Sequence, residues 1–274
     1  MVGSVMAFTR DDVLTAAARS LAAANAHDRD GWVGLFTDDG CVEDPVGTAP
    51  HHGHAAITRF YDTFIGPRTV SFRPHTDIVC GDTVVRDLTL EIAMTATLTL
   101  EVPTFIRYDL REVDGALRIA ALSAFWEMPA MAGQFARKGL AGLPAAAALG
   151  RTMLSNQGVL GSLGYAGGFF SLASSGRRLF ADFLDAACRG DEVGLRRATA
   201  SATLIRGDTG AVTTSELAAE MAGARWDKLI SSGRSVAARV ERDGAGGVVF
   251  GVVRGRVGQE RAALSRLCWF TEDT

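Results

Sequence analysis

Cysteine is scarce and scattered. The 274-residue chain has four, Cys41, Cys80, Cys188 and Cys268, with no CxxC pair and no Cys/His cluster. That spacing argues against a disulfide framework or a structural zinc site, and it fits reduced thiols in a cytoplasmic protein. A basic excess is missing too. The formal net charge is −3 and the pI is near 6.0, so the electrostatic footprint of a general nucleic-acid binder is not there. The opening MVGSVMAFTRDDV has no basic segment leading into a long apolar run, and no secretory signal is read from it. Acidic residues are absent from Met128 to Ala181, and residues 152–176 carry no charge at all. The same 25 positions hold six glycines with Ser, Asn and Gln among them. Such a window makes a poor membrane-spanning helix. It reads as an apolar connector packed over a domain, with a membrane-surface contact by residues 129–176 as the lesser option.

What is present suffices for a core: 47% of residues are hydrophobic and 22% charged. Residues 10–26 predict an amphipathic helix in which Val13, Ala17, Leu21 and Ala24 recur at helical spacing behind Thr9 as cap. Short helices are expected over DRDGWVGLF and GHAAITRFYDTFI. The texture then turns β-branched in TVSFRPHTDIVCG, TVVRDLTLEIAMTATLTLEV, TFIRYDLREV and ALRIAALSAFWEM, with turn signals at Gly81-Asp82 and Asp114-Gly115. Helices followed by an antiparallel sheet give an α+β pattern. The order recurs after residue 177. Helices over 177–200 lead to a strand ATLIRG, a helix TSELAAEMAG and three strands, KLISSGRSVAARVER, GGVVFGVVRGRV and RAALSRLCWFTE. The expected organisation is a first domain over 1–128, the connector over 129–176 and a second, shorter copy over 177–274.

The string ANAHDRDGWVGLFTDDGCVEDPVGTAPHHGHAAITRFY resembles the bacterial ketosteroid isomerases (Δ5-3-ketosteroid isomerase) of the NTF2-like and SnoaL-like superfamily. The likeness spans about 120 residues and is strongest from Asn25 to Tyr61, with VEDPVG its most specific element. Residues 177–274 resemble only the general fold. The resemblance implies two tandem NTF2-like (cystatin-like cone) domains, each with helices packed on a curved antiparallel sheet, and no cofactor. It makes Asp44 the proton-shuttling base in an apolar cone, with Val46 as a neighbouring wall. Asp109 falls at the position of the family's protonated strand acid, and Ser20 stands where the family has a tyrosine. Tyr61 matches a supporting tyrosine, and Trp126 an aromatic pocket position.

Proton abstraction beside a ketone generates an enolate whose oxygen needs a donor. Arg111 lies two residues from Asp109, hence on the same strand face, and favours its ionised form. A register slipped by one would instead turn Tyr108 and Leu110 inward. The cluster His51, His52, His54 lies in a loop bounded by Gly and Pro without accompanying carboxylates, so no metal is expected there. In the second half Arg206 stands where Asp44 would recur, with Asp208 two residues on, and VEDPVG has no equivalent. Three functional readings follow: a proton-moving isomerase acting on a steroid-like or polycyclic ketone, a non-catalytic steroid- or lipid-binding module, and an epoxide hydrolase or polyketide cyclase on the same scaffold. All three call for an apolar small-molecule partner. The second half is expected to serve either a homodimer or an intramolecular pseudo-dimer.

Overall fold

The computed structural model describes residues 8–95, 98–137, 147, 150–152, 155–156, 174–255 and 262–272. Its first helix, α1 (Arg10–Asn25), starts where the sequence puts a cap. The Thr9 hydroxyl takes the Asp12 N–H, and the Asp12 carboxylate returns to Thr9, a reciprocal box that satisfies two otherwise open donors. Helix α1 buries Val13, Ala16, Ala17, Ser20, Leu21 and Ala24 on one stripe. Helix α2 (Arg29–Gly34) is capped by Asp28. Helix α3 (Gly53–Phe60) runs on into a π-turn over Tyr61–Ile65.

These helices lie on a six-stranded sheet made of β1 (Phe36–Glu43), β2 (His51–His52), β3 (Thr69–Cys80), β4 (Thr83–Thr95), β5 (Leu98–Val113) and β6 (Ala116–Phe125). The spatial order is β2-β1-β6-β5-β4-β3. The β1–β6 pair is parallel and every other pair antiparallel, so the sheet is mixed where an antiparallel one was expected. Strand β5 begins at Leu98 and runs through Pro103, which had looked like a break between two strands. After β6 comes α4 (Met128–Arg137). Most of the connector expected over 129–176 lies outside the described residues.

From Ser174 the pattern repeats. Helices α5 (Ser174–Cys188), α6 (Glu192–Ala198) and α7 (Thr214–Met221) accompany β7 (Thr203–Arg206), β8 (Gly210–Ala211), β9 (Arg225–Ser232), β10 (Ser235–Arg242), β11 (Ala245–Arg254) and β12 (Ala263–Thr271). Adding six to each strand number of the first sheet gives the order of the second, β8-β7-β12-β11-β10-β9, again with one parallel pair, β7–β12. The two halves are tandem α+β units of one topology. KLISSGRSVAARVER, read as one strand, is a hairpin: Ser232 pairs with Ser235 around Gly233, whose φ is +56°. Among the described residues no helix is long and apolar enough to cross a membrane.

Each sheet turns one face to its own helices and the other to its sibling. Between the sheets lie Val46, Ile78, Val85, Phe105 and Phe125 of the first unit and Ile230, Val248, Phe250, Cys268 and Phe270 of the second. Phe250 sits at the centre, 4.6 Å from Phe125, 5.8 Å from Phe270 and 6.4 Å from Phe105 between ring centroids. Burying one such ring contributes about 1.5–3 kcal/mol. Polar ties surround this layer. Asp87, 1% exposed, pairs with both Lys228 and Arg239, and Lys228 Nζ also donates to the carbonyls of Leu88 (2.7 Å) and Thr104 (3.0 Å). Arg10 binds Glu272 at 2.7 Å.

Candidate active site

Asp44 is the first residue beyond β1, and Trp126 the first beyond β6. Because these strands run parallel with Glu43 beside Ser123, both side chains emerge from the same end of the sheet. The indole Nε1–H of Trp126 donates to Asp44 Oδ1 at 2.5 Å. The loop after Asp44, which begins with a cis Asp44–Pro45 bond, is pinned from several sides. Val46 N–H donates to the Ala124 carbonyl at 2.8 Å, Gly47 N–H to Glu43 Oε1 at 2.7 Å, and the Thr48 hydroxyl to the Pro45 carbonyl at 2.8 Å.

Asp44 and Trp126 line a cavity of about 120 Å³ enclosed by α1, the π-turn, β4, β5 and α4. Its walls are mostly apolar, among them Leu21, Phe60, Leu90, Ile106, Leu122 and Met131. Of its described lining, Asp44 and Arg68 are the charged members, and Arg68 donates to the carbonyls of Thr63 (2.7 Å) and Phe64 (2.8 Å). A carboxylate in such a place loses hydration that one indole N–H only partly replaces. Burial therefore pushes the Asp44 carboxyl up to about 6, against the opposing pull of the Trp126 hydrogen bond.

Tyr108 enters the same cavity from β5. It is 0% exposed, and among the described residues its hydroxyl makes no close hydrogen bond, the Ser20 hydroxyl being the polar side chain nearby that acts on it. Burial pushes the phenol up to about 12, with the Ser20 hydroxyl nearby drawing it the other way. The group therefore stays protonated across the neutral range and is available as a donor to something in the cavity. Ser20 lines the cavity from α1, 2% exposed, and its Oγ accepts the Trp32 indole N–H at 3.2 Å. Ser20 on α1 and Tyr108 on β5 thus meet on the same cavity lining.

Three of the six residues named from the sequence thus meet at this cavity: Asp44, Ser20 and Trp126. The other three do not line it. Asp109 points from the opposite face of β5, where Arg107 Nε holds it at 2.7 Å and Thr83 Oγ1 donates to it at 3.2 Å, with Asp208 of the second unit completing the cluster. The register is the slipped one, with Tyr108 and Leu110 inward, and Arg111 pairs with Asp39. Val46 belongs to the layer between the sheets. Tyr61 is buried in the first core, 5.5 Å from the Trp32 ring, away from the cavity wall. Tyr108 was within reach of sequence reasoning through the alternation Thr104, Ile106, Tyr108, Leu110, all buried. Arg68 gave no such signal.

The histidines belong elsewhere. His51 packs on Phe60 at 5.1 Å and His54 Nε2 meets the Phe36 carbonyl at 3.1 Å, and no group of three metal-ligating residues occurs among the described residues. The second unit has a core of its own. Trp269 packs inward against Gly247 and the core built on Phe180, Phe183 and Leu184. Arg206 pairs with Glu220, and Asp208 faces the first unit.

Residues 17–117 match the family profile of the SnoaL-like domain. The first half of the chain carries a SnoaL-like domain. Similar solved structures include the Δ5-3-ketosteroid isomerase from Mycobacterium sp., 29% identical over 44% of this chain and 96% of that one, with a TM-score of 0.40. A Mycobacterium tuberculosis protein solved with estradiol-17beta-hemisuccinate is 25% identical over 43% of this chain and 95% of that one, TM-score 0.39. An epoxide hydrolase/cyclase-like enzyme of pyran ring formation in the polyether salinomycin is 22% identical over 43% and 93%, TM-score 0.39.

Proposed function

We propose that the SnoaL-like domain binds an apolar, ring-bearing ketone and moves a proton between two of its carbons, with Asp44 as the base. One observation carries this reading: a carboxyl group pushed by burial to about 6 and a buried phenol line the same apolar cavity. A base whose pKa lies near neutrality is largely ionised yet still able to give its proton back. In the forward step Asp44 takes a proton from the carbon beside the carbonyl, and the bonding pair moves to the carbonyl oxygen. Tyr108 O–H, already stripped of water, donates to that enolate oxygen. In the return step the enolate collapses, and Asp44 delivers the same proton to a different carbon. No cofactor or co-reactant is consumed.

Size limits the ligand. A cavity of about 120 Å³ is of the order of the roughly 150 Å³ engineered hole that holds one benzene ring. The deep end therefore takes a single ring, and the rest of a steroid-like or polycyclic ketone extends past Met131 towards Arg68. Epoxide opening needs an acid as well as a base, and Asp44 is the one carboxyl on the described lining. The second unit, with its sheet against the first, is read as an intramolecular partner.

The test pairs turnover with binding. The unmodified chain is expected to isomerise a 5-ene-3-ketosteroid, with kcat/KM rising as pH passes about 6. Asp44→Asn is expected to cost about 10²–10⁴ in rate while still binding an equilenin-like steroid phenol. Binding without turnover by the unmodified chain would make this a carrier rather than a catalyst.

A further inference from the structure

The β9–β10 turn of the second domain reaches into the notch between the two segments that hold the Asp44–Trp126 pair. Ser232, 2% exposed, donates its hydroxyl to the Val46 carbonyl at 2.8 Å and approaches the Trp126 carbonyl at 3.1 Å. A serine hydroxyl has one proton, so it is shared between two carbonyls. One of these lies two residues after Asp44, and the other belongs to the residue that donates to it. Around this contact the backbones close up. A Cβ added at Gly47 would lie 2.4 Å from Gly233 Cα, and one at Gly233 would lie 2.5 Å from Gly47 Cα. On the far side, Ser231 N–H donates to Glu127 Oε1 at 2.9 Å, and Arg177 binds the same carboxylate while donating to the Leu229 carbonyl at 2.7 Å.

We infer that Ser232 is a positioning residue supplied by the second domain, which sets the spacing between the Asp44 loop and Trp126 and so holds their hydrogen bond together. Neither segment has to keep that spacing by itself, because one hydroxyl ties both carbonyls to a hairpin clamped at Glu127. The second unit thereby gains a role in the first unit's chemistry while the described lining of the cavity comes from the first.

The role in proton transfer rests on the function proposed above, but the geometry is testable without turnover. The Asp44 carboxyl carbon can be followed by ¹³C NMR in aspartate-labelled protein and assigned with Asp44→Asn. The charged and titratable groups near it are Tyr108 on β5, Arg68 on the cavity lining, Glu43 before it and Glu127 after Trp126. The midpoint is expected at about 6 in the unmodified chain. Loss of the indole donor in Trp126→Phe defines the full upward displacement. Ser232→Ala is expected to give at least a third of that displacement, and Ser232→Thr, which keeps the hydroxyl, to restore the midpoint. If Ser232→Ala does not fold, Ser232→Cys, similar in size but a weaker donor, is titrated instead with the same expectation. A midpoint unmoved in a folded Ser232→Ala or Ser232→Cys, or moved equally by Ser232→Thr, overturns the inference. An isomerase assay that fails for every variant while the midpoint still follows this order leaves Ser232 as the positioning residue and removes only the proposed reaction.

Discussion

A carboxyl group held in an apolar cavity destabilises the fold that holds it once it ionises, and the size of the effect at Asp44 can be worked out. Its carboxyl is displaced by burial from the ordinary 3.8 to about 6. Between those values the native chain binds more protons than the unfolded one, so stability must fall as pH rises through that window. Each pKa unit is worth 1.36 kcal/mol, so the full fall is on the order of 3 kcal/mol. Asp44→Asn keeps the shape and an oxygen to accept the Trp126 indole, but it cannot ionise. The variant should match the unmodified protein near pH 4 and exceed its stability near pH 7.5. With about 2–4 °C per kcal/mol for a chain of this size, the gain in Tm at pH 7.5 is about 6–12 °C. Thermal melts of both proteins, read by near-ultraviolet circular dichroism across pH 4–8, are the assay. A Tm difference that stays flat with pH would refute the reasoning, because it would mean that Asp44 ionises as easily in the native state as in the unfolded chain.

Two other perturbations separate chemistry from architecture. Tyr108→Phe removes a buried hydroxyl that makes no close hydrogen bond among the described residues, so stability should hold or rise by about 1 kcal/mol while kcat falls about 10²–10³ with KM little changed; steady-state kinetics beside a denaturant melt check both halves. Asp87→Ala leaves Lys228, 12% exposed, without its carboxylate, held by two carbonyls and the face of the Phe105 ring, and should cost about 3–5 kcal/mol, read as a lower urea midpoint at constant slope.

The first three helices were legible from local signals, whereas α4 fell in the stretch read as a connector. Thr9 with Asp12, Asp28 and the glycine and proline at 66 and 67 mark ends, and Val13, Ala17, Leu21 and Ala24 mark a face. The parallel β1–β6 pairing was not legible, since nothing in either segment states its partner's direction. The register of β5 was ambiguous for a definite reason. A strand with one wet face alternates cleanly, but β5 buries Ile106, Tyr108 and Leu110 on one side and Phe105 on the other, against the second unit. Arg107 and Asp109 then look like pocket residues until Asp208 is seen beside them. Asp44 was readable because VEDPVG is a contiguous string. Its indole donor stands 82 residues away and its phenol neighbour 64, and only the fold brings those distances together.

Covalent linkage of the two sheets also changes what dilution can do. In a symmetric pair of separate subunits every substitution appears twice, and the assembly comes apart at low concentration. Here the contact between Phe250 and Phe125 is made within one molecule, so specific activity is expected to be independent of enzyme concentration.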